Sequence, residues 1–261
     1  MRHTWAFSDL EFVVLWNQLR EDFLPRPFVF TSRTPLYGDY LRERREALER
    51  LHDTMDPAFE GVLERVARPD IRLIARGLDR RAPGSPEGSI RLLAVRHGDY
   101  GYLLKQLPGE TIDHSGGFTV TECDPLKLAD AIAAELPEDR SGRRSHLALH
   151  PPIAVEAGVD HSFGRLSLWD SGDDPAESAV QFLQSAVARF GVIEIGQGTS
   201  RFGPRGRVIR RLGWRDLVDD GRYVITDENP PIATGVDSER LTAKINAEIT
   251  EVVRAIRDER R

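Results

Sequence analysis

Histidines, one cysteine and a glycine-rich turn are the places where this chain could carry chemistry. His146 and His150 stand four apart, which can put two imidazoles on one helix face as metal ligands, and His161 lies beyond them. Against a metal site, Pro151-Pro152 follows at once, no H-E-x-x-H run exists, and Cys123 has no cysteine neighbour. Surface histidines are the expectation. Gly196-Gln197-Gly198-Thr199-Ser200-Arg201 resembles the start of a phosphate-cradling turn, because N–H groups beside glycines can bind anions. It runs into Phe202-Gly203-Pro204 and not into a helix, so the supporting dipole is missing and a hairpin loop is expected instead. There is no G-x-S-x-G, and no carboxylate pair stands apart from the many surface acids. Arg205, Arg207, Arg210 and Arg211 make a basic cluster that suits a protein-binding or salt-bridged surface; a nucleic-acid groove would need a wider basic field. No cofactor, no metal and no catalytic residue are expected, and function should lie in surfaces.

The elements that would carry such surfaces repeat. The run Gly98-Asp99-Tyr100-Gly101-Tyr102-Leu103-Leu104-Lys105-Gln106-Leu107 shares the pattern G-x-x-G-x-apolar-apolar-basic-x-Leu with Gly203 to Leu212. Downstream, Asp124 to Leu136 is answered by Asp237 to Ile249. The extra residues of the second copy fall between Asp227 and Val236, a loop-rich stretch where insertion costs little. Strand then helix, twice, predicts one pseudo-symmetric domain over 1–261. Its halves are about 1–137 and about 153–261, with a linker at about 138–152.

Ser8-Asp9-Leu10-Glu11 has the spacing of a capping box and predicts a helix from Asp9 to about Arg20, ended by Leu24-Pro25-Arg26-Pro27. A second helix is expected from Pro35, its charged block Arg42 to Arg50 forming a solvated face, and a third from Asp56-Pro57. From Ile71 the apolar period changes to two, so Ile71–Arg76, Ile90–Val95 and Tyr102–Leu107 predict three antiparallel strands, with Phe118–Thr121 as a fourth. Leu78 to Gly88 is too long and polar for a tight hairpin and is expected to be exposed and mobile. Asp124-Pro125 should cap a helix that ends at Leu136-Pro137, and Phe163, Leu166 and Leu168 suggest an extended segment. Asp174-Pro175 should open another helix with Val180, Leu183, Val187 and Phe190 on one side. Strands are then expected at Val192–Ile195, Arg207–Leu212 and Arg222–Ile225, the last two joined by Asp219-Asp220-Gly221. A final helix from Asp237 towards Arg257 should turn Leu241, Ile245, Ile249, Val252, Val253 and Ile256 inward.

Over 261 residues, 40% are apolar and 30% charged, with a net charge of −6, which suits a soluble protein and not a nucleic-acid binder. A single cysteine forms no internal disulfide, no apolar run has the length of a membrane span, and the start of the chain turns acidic before any hydrophobic stretch. A cytoplasmic protein with no direct membrane insertion is expected.

Several stretches together resemble one family. They are Leu10-Glu11-Phe12-Val13-Val14-Leu15-Trp16, Leu24-Pro25-Arg26-Pro27-Phe28, Leu128 to Pro137, and Arg201 to Val208 continuing through Leu212-Gly213-Trp214-Arg215-Asp216 to Asp220-Gly221-Arg222-Tyr223-Val224. In this order they resemble the EspG family, the ESX (type VII) secretion-associated proteins of actinobacteria. The resemblance implies an α+β fold, with a central mostly antiparallel sheet, two helical bundles and a pseudo-two-fold. It further implies a cytosolic chaperone, not an enzyme, that binds the helical tip of PPE proteins in their PE–PPE heterodimers, keeps them soluble and directs them to the secretion machinery. Such a surface needs an apolar centre and a polar rim. Exposure and position point to Gln197, Thr199, Arg201, Arg207 and Arg211, and to the long loop carrying Arg80, Arg81 and Ser85. Alternatives are a different helical-hairpin partner of WXG100 type, a homodimeric structural protein, or a small enzyme using the histidines or the Gly196–Arg201 loop. The free protein would be a monomer or a homodimer.

Overall fold

In a computed structural model, residues 3–19, 21, 23–149 and 175–260 are described. The first half of the chain gives β1 (Thr4–Phe7), three helices α1 (Asp9–Gln18), α2 (Tyr37–Thr54) and α3 (Val62–Ala67), then four consecutive strands and another helix. These are β2 (Ile71–Asp79), β3 (Ser89–His97), β4 (Tyr100–Pro108), β5 (Ser115–Cys123) and α4 (Leu128–Glu135). The second half repeats that order with β6 (Leu147–Ala148), α5 (Pro175–Gln184), β7 (Val187–Gln197), β8 (Ile209–Leu217), β9 (Gly221–Thr226), β10 (Ile232–Gly235) and α6 (Ser238–Glu259). All ten strands join one antiparallel sheet in the order β1-β5-β4-β3-β2-β7-β8-β9-β10-β6. Read outward from the central β2–β7 pair, each strand of one half meets its counterpart in the other.

Local signals set several of these elements. Ser8 Oγ accepts from Glu11 N–H while the Glu11 carboxylate accepts from Ser8 N–H, so both halves of the capping box form at the start of α1. In α6, Asp237 caps the Arg240 N–H; Leu241, Ile245 and Val252 are buried, and Ile249, Val253 and Ile256 pack beside them.

The sheet buries apolar side chains on both faces. On its first face α4 and α6 cover Leu73 and Ala75 of β2, Leu92 of β3, Ile193 and Ile195 of β7, and Leu212 and Trp214 of β8. Each such Leu or Ile, fully buried, contributes about 1.5–3 kcal/mol. On the second face α1, α2 and α3 cover β3, β4 and β5 around Phe12, Tyr102, Leu104 and Phe118, while α5 covers the outer strands of the other half around Phe182, Tyr223 and Ala233.

Several expectations are corrected. Gly98–Leu107 holds the β3–β4 turn and β4, whereas Gly203–Leu212 holds a loop and the start of β8. In the sheet the counterpart of β4 is β9, so that first pair of matched blocks is one strand out of step; the second pair, α4 and α6, occupies corresponding places. The expected linker contains β6, which pairs with β10, itself inside the stretch expected to be loop. Asp56-Pro57 opens a single 3-10 turn, and Asp124 closes a turn four residues before α4 begins. In α5 the buried side chains are Ala179 and Phe182, while Val180 and Leu183 face outward, and Val187 and Phe190 belong to β7. Phe163, Leu166 and Leu168 lie outside the described residues.

Candidate partner-binding surface

The two helix layers of the second face reach β2 at Ile74, packed with the α1–α3 cluster, and β8 at Leu217, packed with α5, and leave part of β2, β7 and β8 exposed between them. Strand register aligns their outward residues in four cross-strand rows: Arg72–Gly196–Ile209, Ile74–Glu194–Arg211, Arg76–Val192–Gly213, and Leu78–Phe190–Arg215. Exposed apolar groups stand at the two ends of these rows, with Ile209 40% exposed at one and Leu78 38% and Phe190 39% exposed at the other. Beside this lattice the segment Arg26–Val29 crosses over and closes one wall of a cleft of about 470 Å³, whose other sides include Leu78, Arg91, Phe190 and Val192. Arg26 pairs with Glu194 at 3.2 Å, and Gln106 holds Val29 by accepting from its N–H and donating to its carbonyl.

Two hairpin loops end on this lattice from opposite ends of the sheet. The β2–β3 loop is rooted by Asp79, which accepts from the Arg81 backbone N–H and guanidinium. Those hydrogen bonds hold the Asp79 carboxyl well below the usual carboxylate range. Behind it, on the first face, Arg189 lies 3.5 Å from Asp79, 3.8 Å from Asp139 and 3.2 Å from Asp216. Arg222 then grips the fully buried Asp216 with two hydrogen bonds of 2.7 and 2.8 Å and gives a third to the Pro137 carbonyl at the end of α4. Charges taken out of water in this way persist because every member has a partner. Arg80, next in the loop, turns to the second face and lies 5.9 Å from the Phe190 ring centre.

One side chain gathers three donors of the β7–β8 loop. Glu259, the last residue of α6, accepts from Gln197 Nε2 at 3.1 Å, from Ser200 Oγ at 2.9 Å, and from Arg201 N–H. Partial burial pushes its carboxyl up, but these donors outweigh burial and the net direction is down. The loop returns to the second face through Arg207, beside Arg72. Burial first, then the nearby Arg207 and Arg26, push the Arg72 guanidinium below the usual arginine value.

The eight residues singled out in the sequence divide accordingly. Arg80, Arg81, Thr199, Arg201 and Arg211 are exposed, and Ser85 and Arg207 half-buried. Gln197 is fully buried: its amide donates to Glu259 and its carbonyl accepts from Val208 N–H at 2.7 Å, so it is a joint of the loop and is not available at the surface. The basic cluster also splits, since Arg210 points to the first face and pairs with Glu248 at 2.7 Å. Arg72, Arg76, Arg215 and Phe190 were not singled out, although the alternation of Arg72 and Arg76 with Leu73 and Ala75 already gave their shared face. His146 is exposed, and His150 and His161 lie outside the described residues. Among the described residues no group of three or more His, Cys, Asp or Glu could hold a metal, and no helix is long and apolar enough to cross a membrane.

A ten-stranded antiparallel sheet with arginines and apolar side chains exposed on its central strands is therefore the feature to compare with known proteins. The EspG family model matches residues 8–247. The chain belongs to the EspG family. The EspG5 chaperone of the Mycobacterium tuberculosis type VII secretion system, solved in complex with a PE25–PPE41 dimer, is similar to it with a TM-score of 0.53. The two are 10% identical, and the match covers 97% of this chain and 96% of that one. No curated protein sequence matches. For this EspG family member the α+β fold is thus shared along its length with a solved relative.

Proposed function

We propose that this chain is a cytoplasmic chaperone of an ESX (type VII) secretion system, a binding protein without turnover, which covers the apolar tip of a PE–PPE heterodimer. It would keep that cargo soluble and direct it to the secretion machinery. The observation that carries this reading is family membership over residues 8–247, joined to a fold shared along the whole chain with a chaperone solved holding a PE–PPE dimer. The exposed centre of the sheet supports it physically. A helical hairpin with an apolar tip aggregates unless the tip is covered, and Leu78, Val192, Phe190 and Ile209 offer apolar contact beside exposed arginines. Arg80 and Arg81 with Ser85 on one loop, and Thr199, Arg201 and Arg207 on the other, with Arg211 between, are the proposed contacts.

The test is co-expression with a PE–PPE pair encoded beside this chain, followed by size-exclusion chromatography with light scattering. A complex of one chain with one heterodimer is expected, and so is loss of that complex with Arg207→Glu and Arg211→Glu together in a variant that melts like the wild type. Separate elution of a soluble pair would sink the reading.

A further inference from the structure

The lattice carries an imbalance of charge that the fold itself does not use. Arg72, Arg76, Arg207, Arg211 and Arg215 make no side-chain hydrogen bond and no ion pair among the described residues, and the Nε of Arg207 is buried without a partner. Glu194, the single acid in the four rows, is engaged by Arg26. Elsewhere in this chain of net charge −6, Arg42, Arg189, Arg210, Arg222, Arg240 and Arg254 on helices and strands each pair with an acid, and Arg65, Arg91 and Arg96 each donate to a hydroxyl or a carbonyl. Unpaired guanidiniums packed together repel one another, and a half-buried one such as Arg72 has lost water without gaining a carboxylate. A fold keeps such a group at low cost when a partner supplies the missing charge.

We infer that this arginine lattice selects a partner whose docking segment is acidic, a helical tip with carboxylates set around an apolar contact. The inference rests on the chaperone reading and adds the chemistry of the tip. Geometry favours a helix. Residues four apart along a strand, as Arg72 and Arg76 or Arg211 and Arg215 are, stand about 13 Å apart, and residues seven or eight apart on one face of a helix stand about 10.5–12 Å apart, so one helix can present two acids to either pair. The planar guanidinium accepts a carboxylate through two parallel hydrogen bonds, which fixes orientation as well as charge. Phe190 and Val192 between the arginines supply the apolar contact that excludes water. A nucleic-acid backbone fits poorly, because it needs a continuous basic track, and here Glu194 interrupts the arginine rows of a chain whose net charge is −6.

The experiment measures affinity for the co-expressed PE–PPE pair by titration calorimetry at two salt concentrations, using wild type, the double variant Arg76→Glu with Arg211→Glu, and the double variant Arg76→Gln with Arg211→Gln. Both arginines are exposed, and an unchanged melting temperature certifies each variant. The expected result is wild-type affinity that falls as salt rises, a loss of at least about tenfold with the Glu pair, a smaller loss with the Gln pair, and recovery when acids on the cargo tip are changed to arginine. Salt-independent binding, or Glu and Gln variants that bind like wild type, overturns the inference while leaving the chaperone reading standing. If wild type forms no complex with the pair, the chaperone reading fails. A synthetic amphipathic helix bearing glutamates at i, i+7 and i+8 and a single-stranded oligonucleotide then decide the inference alone. Binding to the peptide that is lost in the Glu variant supports it, and preference for the oligonucleotide, or no binding to the peptide, overturns it.

Discussion

The β2–β3 and β7–β8 loops occupy corresponding places in the two halves of the sheet, yet they are anchored by different physics. Both are tied down on the first face and present arginine to the second: Arg80 over Phe190 in one loop, Arg207 beside Arg72 in the other. The β2–β3 loop is rooted in a chain of buried charges that runs from Asp79 through Arg189 and Asp216 to Arg222. The β7–β8 loop is held by the Glu259 carboxylate at the end of α6 and by the Gly198 N–H bond to the Asp70 carbonyl. Buried charge couples its loop to the stability of the whole sheet, because no member can leave without stranding another. A fork at a helix end can open with its own turn of chain, at small cost to the core. One loop is thus a fixed post beside the lattice, and the other a latch.

The largest effect should come from breaking the post. Asp216→Ala leaves Arg222 buried without its carboxylate, while Arg189 keeps Asp79 and Asp139, and should cost about 3–5 kcal/mol, read as a lowered urea midpoint. Replacing both ends, Asp216→Leu with Arg222→Met, should recover most of that loss, since the penalty lies in the charge left alone. A single variant as stable as wild type would remove the charge chain as the anchor.

The latch should yield next. Gly198 N–H donates to the Asp70 carbonyl at 2.9 Å, and a Cβ at this position would stand 1.7 Å from the Pro69 carbonyl oxygen. Backbone cannot swing aside as a flexible side chain can, so Gly198→Ala should push the β7–β8 loop outward and cost about 1–3 kcal/mol. Proteolysis should then cut within 199–206 before it cuts anywhere in 80–88.

Acid should loosen both anchors. The Asp79 and Glu259 carboxyls both lie below their ordinary values in the fold. Each therefore adds stability that is complete above the unfolded carboxylate value, about 4, and is lost as pH falls through it towards the folded value. The gap in urea midpoint between wild type and Asp79→Asn, or between wild type and Glu259→Gln, should stay constant from about pH 8 to about pH 5 and close in stronger acid. A gap that widens in acid would mean that neither carboxylate is the anchor.

How much of this could be read from the sequence follows from the distance over which each interaction acts. The capping box of Ser8 and Glu11 lies within one turn, and the inward stripe of α6 within one helix, so both were legible in full. The charge chain draws on Asp79, Asp139, Arg189, Asp216 and Arg222, which meet only when both halves have folded, and nothing in their spacing marks them. Short β6 and β10 owe their strand form to each other and to β9, across a wide gap in sequence. Gln197 misled because a glutamine between two glycines looks like loop, and only the end of α6 turns it inward. Arg72 and Arg76 were legible as one face of a strand. Which part of that face stays exposed depends on where α3 stops and α5 begins across the sheet.

The smallest effect on stability should be at Arg80, and there stability and binding should part. Its side chain rests over an exposed ring at 5.9 Å, a contact of about 0.5 kcal/mol at such a site. Arg80→Ala should leave the urea midpoint nearly unchanged, because the loop remains rooted through Asp79 and Arg81 one residue away on each side. If the β2–β3 loop is a fixed post, losing this guanidinium removes a contact already in place, and cargo should dissociate faster with little change in its association rate. If the loop instead closes over cargo after encounter, the same variant should slow the approach to the final complex. Stopped-flow association with labelled cargo, compared for Arg80→Ala and Glu259→Gln, separates the two: the post variant should alter only the off-rate, and the latch variant both rates.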